Sequence, residues 1–148
     1  AGQPGNARFL TETEARQALF TQLMAGLEFT ADQRLGRPLG TFDRPRPERA
    51  EARLSERSLR NVQLSLAALE RLALALAPDS PQTEAGFEAA ERLAAELDDP
   101  ALAGVADVQG RLKVEILQQR IHALRDMVTN DVGAALGVST GFNAADGD

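Results

Sequence analysis

The chain has 148 residues and no cysteine, which is long enough for one domain with a real core and excludes disulfides and thiolate metal sites. The net charge of -6 argues against a nucleic-acid backbone as partner. Apolar residues make up 43%, mostly Leu and Ala, and aromatics only 4%, which excludes a disordered chain and favours helices over strands.

Residues 1–10 read as a flexible start, with Phe9 and Leu10 as candidates for packing. Ala1–Gly5 carries no apolar stretch of a signal peptide, so the start reads as a cut point. Thr11-Glu12-Thr13-Glu14 is a capping box, and a helix is expected to run from there to about Leu35. Its inward face is Leu19, Phe20, Leu23, Met24, Leu27 and Ala31. Gly36 reads as its stop, and Pro38 as a block to continuation.

Residues 36–50 form the longest connection and hold Pro38, Pro45, Pro47, Arg37, Arg44, Arg46 and Arg49, with Arg34 just before. Such a segment is either a solvated, proline-stiffened crossover or a basic loop for a carboxylate, a phosphate or an acidic surface. A second helix starts between Glu51 and Ser58 and ends near Ala77, with Ser55 and Ser58 as N-terminal caps. Its stripe is Leu59, Val62, Leu66, Leu69, Ala73 and Leu76. Pro78–Pro81 ends it, and a third helix follows from Thr83 to about Leu97, with Phe87, Ala90, Leu93, Ala94 and Leu97 inward. Asp98-Asp99-Pro100 signals the start of a long last helix reaching Leu136. Its stripe is Leu112, Ile116, Leu117, Ile121, Leu124, Val128, Val132 and Ala135, and Gly110 is a candidate bend. Behind Gly137 lies a tail rich in Gly, Asn and Asp that holds the bulky Phe142, a composition that points to a tail folded back and docked. The pattern is all-α: an antiparallel, up-down four-helix bundle with a docked C-terminal tail. No apolar run approaches the roughly 20 residues that span a bilayer.

Candidate chemistry is sparse. His122, the one histidine, shares a helix face with Glu115 and Asp126, but that face lies opposite the apolar stripe and is short of ligands for a metal. Ser55 and Ser58 have no nearby base, so a catalytic triad is not supported. Asp146-Gly147-Asp148 offers carboxylates for calcium, too few alone, and a turn explains them equally. No phosphate-cradling glycine loop is present. No catalytic residue and no metal ligand set is therefore assigned to this chain.

Three motifs stand in one order: Arg34-Leu35-Gly36-Arg37-Pro38-Leu39-Gly40; Glu51-Ala52-Arg53-Leu54-Ser55-Glu56-Arg57-Ser58; and Leu136-Gly137-Val138 followed by Gly141-Phe142-Asn143-Ala144-Ala145-Asp146-Gly147-Asp148. Together they resemble the second half of the imelysin-like family of bacterial envelope proteins, with its RL-x-x-PLG turn, ES-x-x-S-x-x-S element and GFN-x-x-DGD tail. Ala52 departs from the family's usual serine, and the family's GxHxxE motif is missing, since Ala123, Leu124 and Arg125 follow His122. The resemblance implies a two-lobed helical protein with a site between the lobes, of which residues 11–148 are the C-terminal lobe. It implies a periplasmic or outer-membrane-associated protein linked to iron uptake and labelled a metallopeptidase. It further implies a ligand-binding or inter-lobe site from Arg34, Glu51, Ser55, Ser58, Asn143 and Asp146, with Pro38, Gly40, Gly141, Phe142 and Gly147 as structural motif residues. The partner is then the N-terminal lobe or a second copy. No cofactor is expected on this chain alone, a metal being possible in the complete protein. A metallopeptidase whose GxHxxE site lies in the other lobe is the alternative, and a helical protein-interaction domain the third option.

Overall fold

The computed structural model describes residues 11–138, and among them the only regular elements are helices. Helix α1 (Glu12–Glu28) opens on the expected capping box: the Thr11 hydroxyl accepts from the Glu14 N–H at 3.1 Å, and the Glu14 carboxylate accepts from the Thr11 N–H at 3.1 Å. The chain does not stop at Gly36. It continues through a π-helical segment (Phe29–Leu35) into a short helix α2 (Gly36–Leu39). The wider turn lets the Gly36 N–H reach back five residues to the Ala31 carbonyl. Pro38 then falls in the first turn of a new α-helical register, where its missing N–H costs nothing. The stop is Gly40, at φ 59°, where a side chain would run into the Arg44 carbonyl.

Residues 41–57 are more built than a long unstructured connection. A bridge pairs Thr41 with Arg44, the Arg46 N–H donates to the Pro38 carbonyl at 2.8 Å, and tight 3-10 turns follow at Pro47–Arg49 and Arg53–Ser55. Helix α3 (Ser58–Leu76) is entered without a side-chain cap. The serines expected to cap it act elsewhere: Ser55 Oγ donates to the Ala52 carbonyl at 3.0 Å and Ser58 Oγ to the Glu51 carbonyl at 2.6 Å. Helix α4 (Pro81–Glu96) begins with Pro81 in its first turn, as proline prefers.

The last long helix starts later than Asp98-Asp99-Pro100 implied. The Asp99 carboxylate instead binds the Ala103 and Gly104 N–H groups of a 3-10 turn (Ala103–Ala106). Helix α5 (Val108–Val128) is capped by Asp107, which accepts from Gln109 and Gly110. A second π-helical segment (Thr129–Gly133) extends it. Gly137, at φ 67°, closes the helix: its N–H reaches the Ala134 carbonyl while the Val138 N–H reaches Gly133, the paired bonds of a Schellman end.

Helix α1 packs on α3 and α5, and α4 packs on the same two, so the four long helices enclose one core. Leu23, Leu27, Ala31, Leu35, Val62, Leu66, Phe87, Ala90, Leu117, Ile121 and Leu124 are fully buried in it. Four residues expected inside lie outside: Leu19, Leu112, Ile116 and Ala135 are exposed. Each four-residue step drifts about 40° around an α-helix, and the core face of α5 runs instead through Val114, Leu117, Ile121, Leu124 and Val128.

Candidate functional site

The two motifs described by the structure, Arg34–Gly40 and Glu51–Ser58, meet. Arg34 Nη1 is paired with Glu51 Oε2, the arginine side chain mostly covered and the glutamate half exposed. Ser58, 3% exposed at the start of α3, fixes Glu51 by donating to its carbonyl. A chain of contacts thus runs from α1 through the 41–57 segment to α3. Pro38 supplies the carbonyl that ties this segment down, and Gly40 supplies the turn that lets it double back. Ser55 is exposed and bound to its own turn, so it stands apart from Arg34 and Glu51. Asn143, Asp146, Gly141, Phe142 and Gly147 lie outside the described residues, as does the expected docking of the tail.

The π-helical segment shapes Arg34. Five residues separate it from Phe29, about one π turn, so the guanidinium lies over the Phe29 ring with Cζ 5.2 Å from the centroid. In an α-helix the same step would point the two side chains some 140° apart. Burial pushes the Arg34 pKa down from its ordinary value, and its Nε is buried with no acceptor among the described residues. The result is a cation held in place and incompletely satisfied, next to an aromatic ring that is 50% exposed. Chemically, such a group binds and orients a carboxylate through its planar fork.

Beside it an open groove of about 420 Å³ runs between α1 and α3, its walls including Gln22, Gly26, Phe29, Arg34, Ser65 and Ala68. Sequence reasoning missed Phe29 and the whole groove, because it looked for three- and four-residue steps and Phe29 sits one five-residue step before Arg34. It also missed Arg111, whose Nη1 donates to the Leu39 carbonyl at 2.7 Å and whose guanidinium lies 5.8 Å from the Phe42 ring. The His122 face does not assemble either. His122 Nε2 meets Asp32 at 2.8 Å, and Glu115 takes Arg111 at 2.7 Å. Among the described residues no three His, Cys, Asp or Glu side chains gather to hold a metal, and no helix is long and apolar enough to cross a membrane.

The sequence matches the family described as Imelysin (Peptidase M75) over residues 2–128, and the chain belongs to that family. No curated protein and no solved structure matches it.

Proposed function

We propose that this imelysin-family chain works as a helical lobe that contributes half of a polar site for a metal ion, iron foremost, or for another ligand. The contact chain Arg34–Glu51–Ser58 carries the reading, because it gathers two of the three motifs in one place. Glu51 brings a half-exposed carboxylate, and Asn143 and Asp146 would add oxygens around it, with Ser55 on the neighbouring exposed turn. The lobe spans residues 11–148 and meets an N-terminal lobe, or a second copy, across that site. The setting is the periplasm or the outer membrane, as the family resemblance implies. One constraint follows from the fold. Val138 lies beside Glu12–Gln17, near the start of α1, whereas Arg34 lies at its far end. Asn143 and Asp146 therefore join Arg34 only if the tail runs back along the bundle for roughly 20 Å or more.

A metallopeptidase is the second reading, favoured by the family's name; its metal would come from the GxHxxE motif of the other lobe, with this chain holding substrate. Calorimetric titration of ferric and zinc ions into the chain, alone and with the N-terminal lobe, tests the proposal. Tight binding is expected only for the pair, weakened by Glu51→Ala and by Asp146→Ala. Binding by the pair that ignores both substitutions would remove this chain from the site, and peptide cleavage by the pair would move the reading to the peptidase.

A further inference from the structure

The groove between α1 and α3 differs from the rest of the surface in its charge. Among the described residues, Arg34 is the only ionisable one that lines it. The neighbouring hollow on the other side of Phe29 is lined by Glu28 and Asp32, and the one between α4 and α5 by Glu96 and Lys113. The floor is apolar and low. Gly26 carries no side chain, the end of Leu69 packs close beside it, and Ala68 faces it from α3. The rim carries the Gln22 amide and the Ser65 hydroxyl. The Thr30 hydroxyl is already spent on the Gly26 carbonyl at 2.7 Å, so it adds no donor. Phe29 lines the groove and stacks on Arg34.

We propose that this groove binds a small monocarboxylate with a flat apolar body, its carboxylate on the Arg34 guanidinium and its body between Phe29 and the Gly26–Ala68 floor. The inference deepens the proposed function, resting on Arg34 as a ligand-facing residue and naming the ligand class it takes. Nη1 is engaged by Glu51 and the buried Nε is out of a ligand's reach, while Nη2 carries no hydrogen bond among the described residues and is not closed off from solvent, so it is the donor that a ligand carboxylate takes from the groove. Glu51 already offsets one charge, which favours a monoanion over a phosphate dianion. The apolar floor and the exposed ring favour a body that stacks.

Titration of 15N-labelled chain with 3-phenylpropionate, followed by NMR, tests this. Saturable shifts are expected at the Ala25, Gly26, Thr30 and Ala68 amides. The uncharged 3-phenylpropionamide should bind at least about tenfold more weakly, the worth of a charge-assisted hydrogen bond. N-acetyl-Leu-Phe with a free carboxyl end is a parallel probe; the tighter of the two acids tells whether a free acid or a peptide end is the source. Ala68→Phe, at an exposed position, should block the groove, and Arg34→Gln should cost about as much as the amide probe. Glu51→Gln removes the competing carboxylate and should tighten acid binding, whereas in metal handling it would weaken the metal. The two ideas thus fail separately. Equal binding of acid and amide, or acid binding unaffected by Ala68→Phe, overturns the proposal even if Arg34→Gln does not fold.

Discussion

Replacing Gly110 by alanine sets a gain in helix propensity against a backbone clash, and the clash should win. Gly110 sits in the first turn of α5, pressed on the Ala103–Ala106 turn. A Cβ there would meet the Gly104 carbonyl oxygen, with the Gly104 carbonyl carbon at 2.7 Å and Cα at 2.8 Å. All of these are backbone atoms, so no rotamer change relieves them. Separating the two turns by several tenths of an ångström or more disturbs Leu102 and Val105, both essentially buried. A gap of about 0.5–1 Å forfeits a quarter to a half of each contact's dispersion energy, and overpacking of this kind costs about 1–3 kcal/mol. Gly26→Ala is the matched control. It gains the same helix propensity, about 1 kcal/mol, but its new methyl meets only the mobile end of Leu69. Urea unfolding of both variants should place Gly110→Ala about 1–3 kcal/mol below Gly26→Ala. Equal stability would show that the close approach of the two turns is not real.

Ser58→Ala removes the bond that holds the Glu51 carbonyl and leaves a partly buried acceptor empty, so it should cost about 1–2 kcal/mol and lower the melting temperature by a few degrees; an unchanged melt would detach Ser58 from the site. Asp131 accepts from the Thr83 N–H at 3.0 Å, capping α4 from a distant element, and Asp131→Ala should cost about 1 kcal/mol while Asp131→Asn keeps most of it; indistinguishable variants would count against the cap. Burial first, and then the like charges of Glu91, Glu84 and Glu88, push the Glu70 carboxyl above its ordinary value. The folded chain therefore holds that proton more tightly than the unfolded one, and stability is lost as pH rises from the ordinary glutamate value through the raised one. Glu70→Gln should raise the melting temperature near pH 7 and leave it almost unchanged near about pH 4. A gain of equal size at both values would mean that charge is not the cause.

Much of the fold was legible because it rests on local chemistry. The Thr11–Glu14 box and the Gly137 end of the last helix are each decided by residues within one turn of themselves. The errors came where a local signal had a competitor. Asp99 is a good cap, but it caps the Ala103–Ala106 turn because Leu102, in a left-handed conformation and wholly buried, diverts the chain before Asp107 starts the helix. Ser55 and Ser58 are good caps by type, yet both spend their hydroxyls on carbonyls of the preceding segment. Leu112 and Ile116 continue a plausible stripe that the neighbouring helices do not cover.

The groove beside Arg34 was illegible for a reason tied to one element. Leu23, Leu27, Ala31, Leu35 and Leu39 recur every four residues and are all buried, a spacing that drifts steadily around a pure α-helix. A π turn takes more residues per turn, so the same step there rotates backward and cancels the drift. The π-helical segment Phe29–Leu35 thus keeps this apolar row on the core, and in doing so it swings Phe29 and Arg34 onto one outer face. Core burial and the placing of Arg34 are consequences of the same irregularity. Deleting one residue inside the segment, for instance Gln33, would restore an α-helical register and should break the stacking of Arg34 on Phe29 and its pairing with Glu51 together.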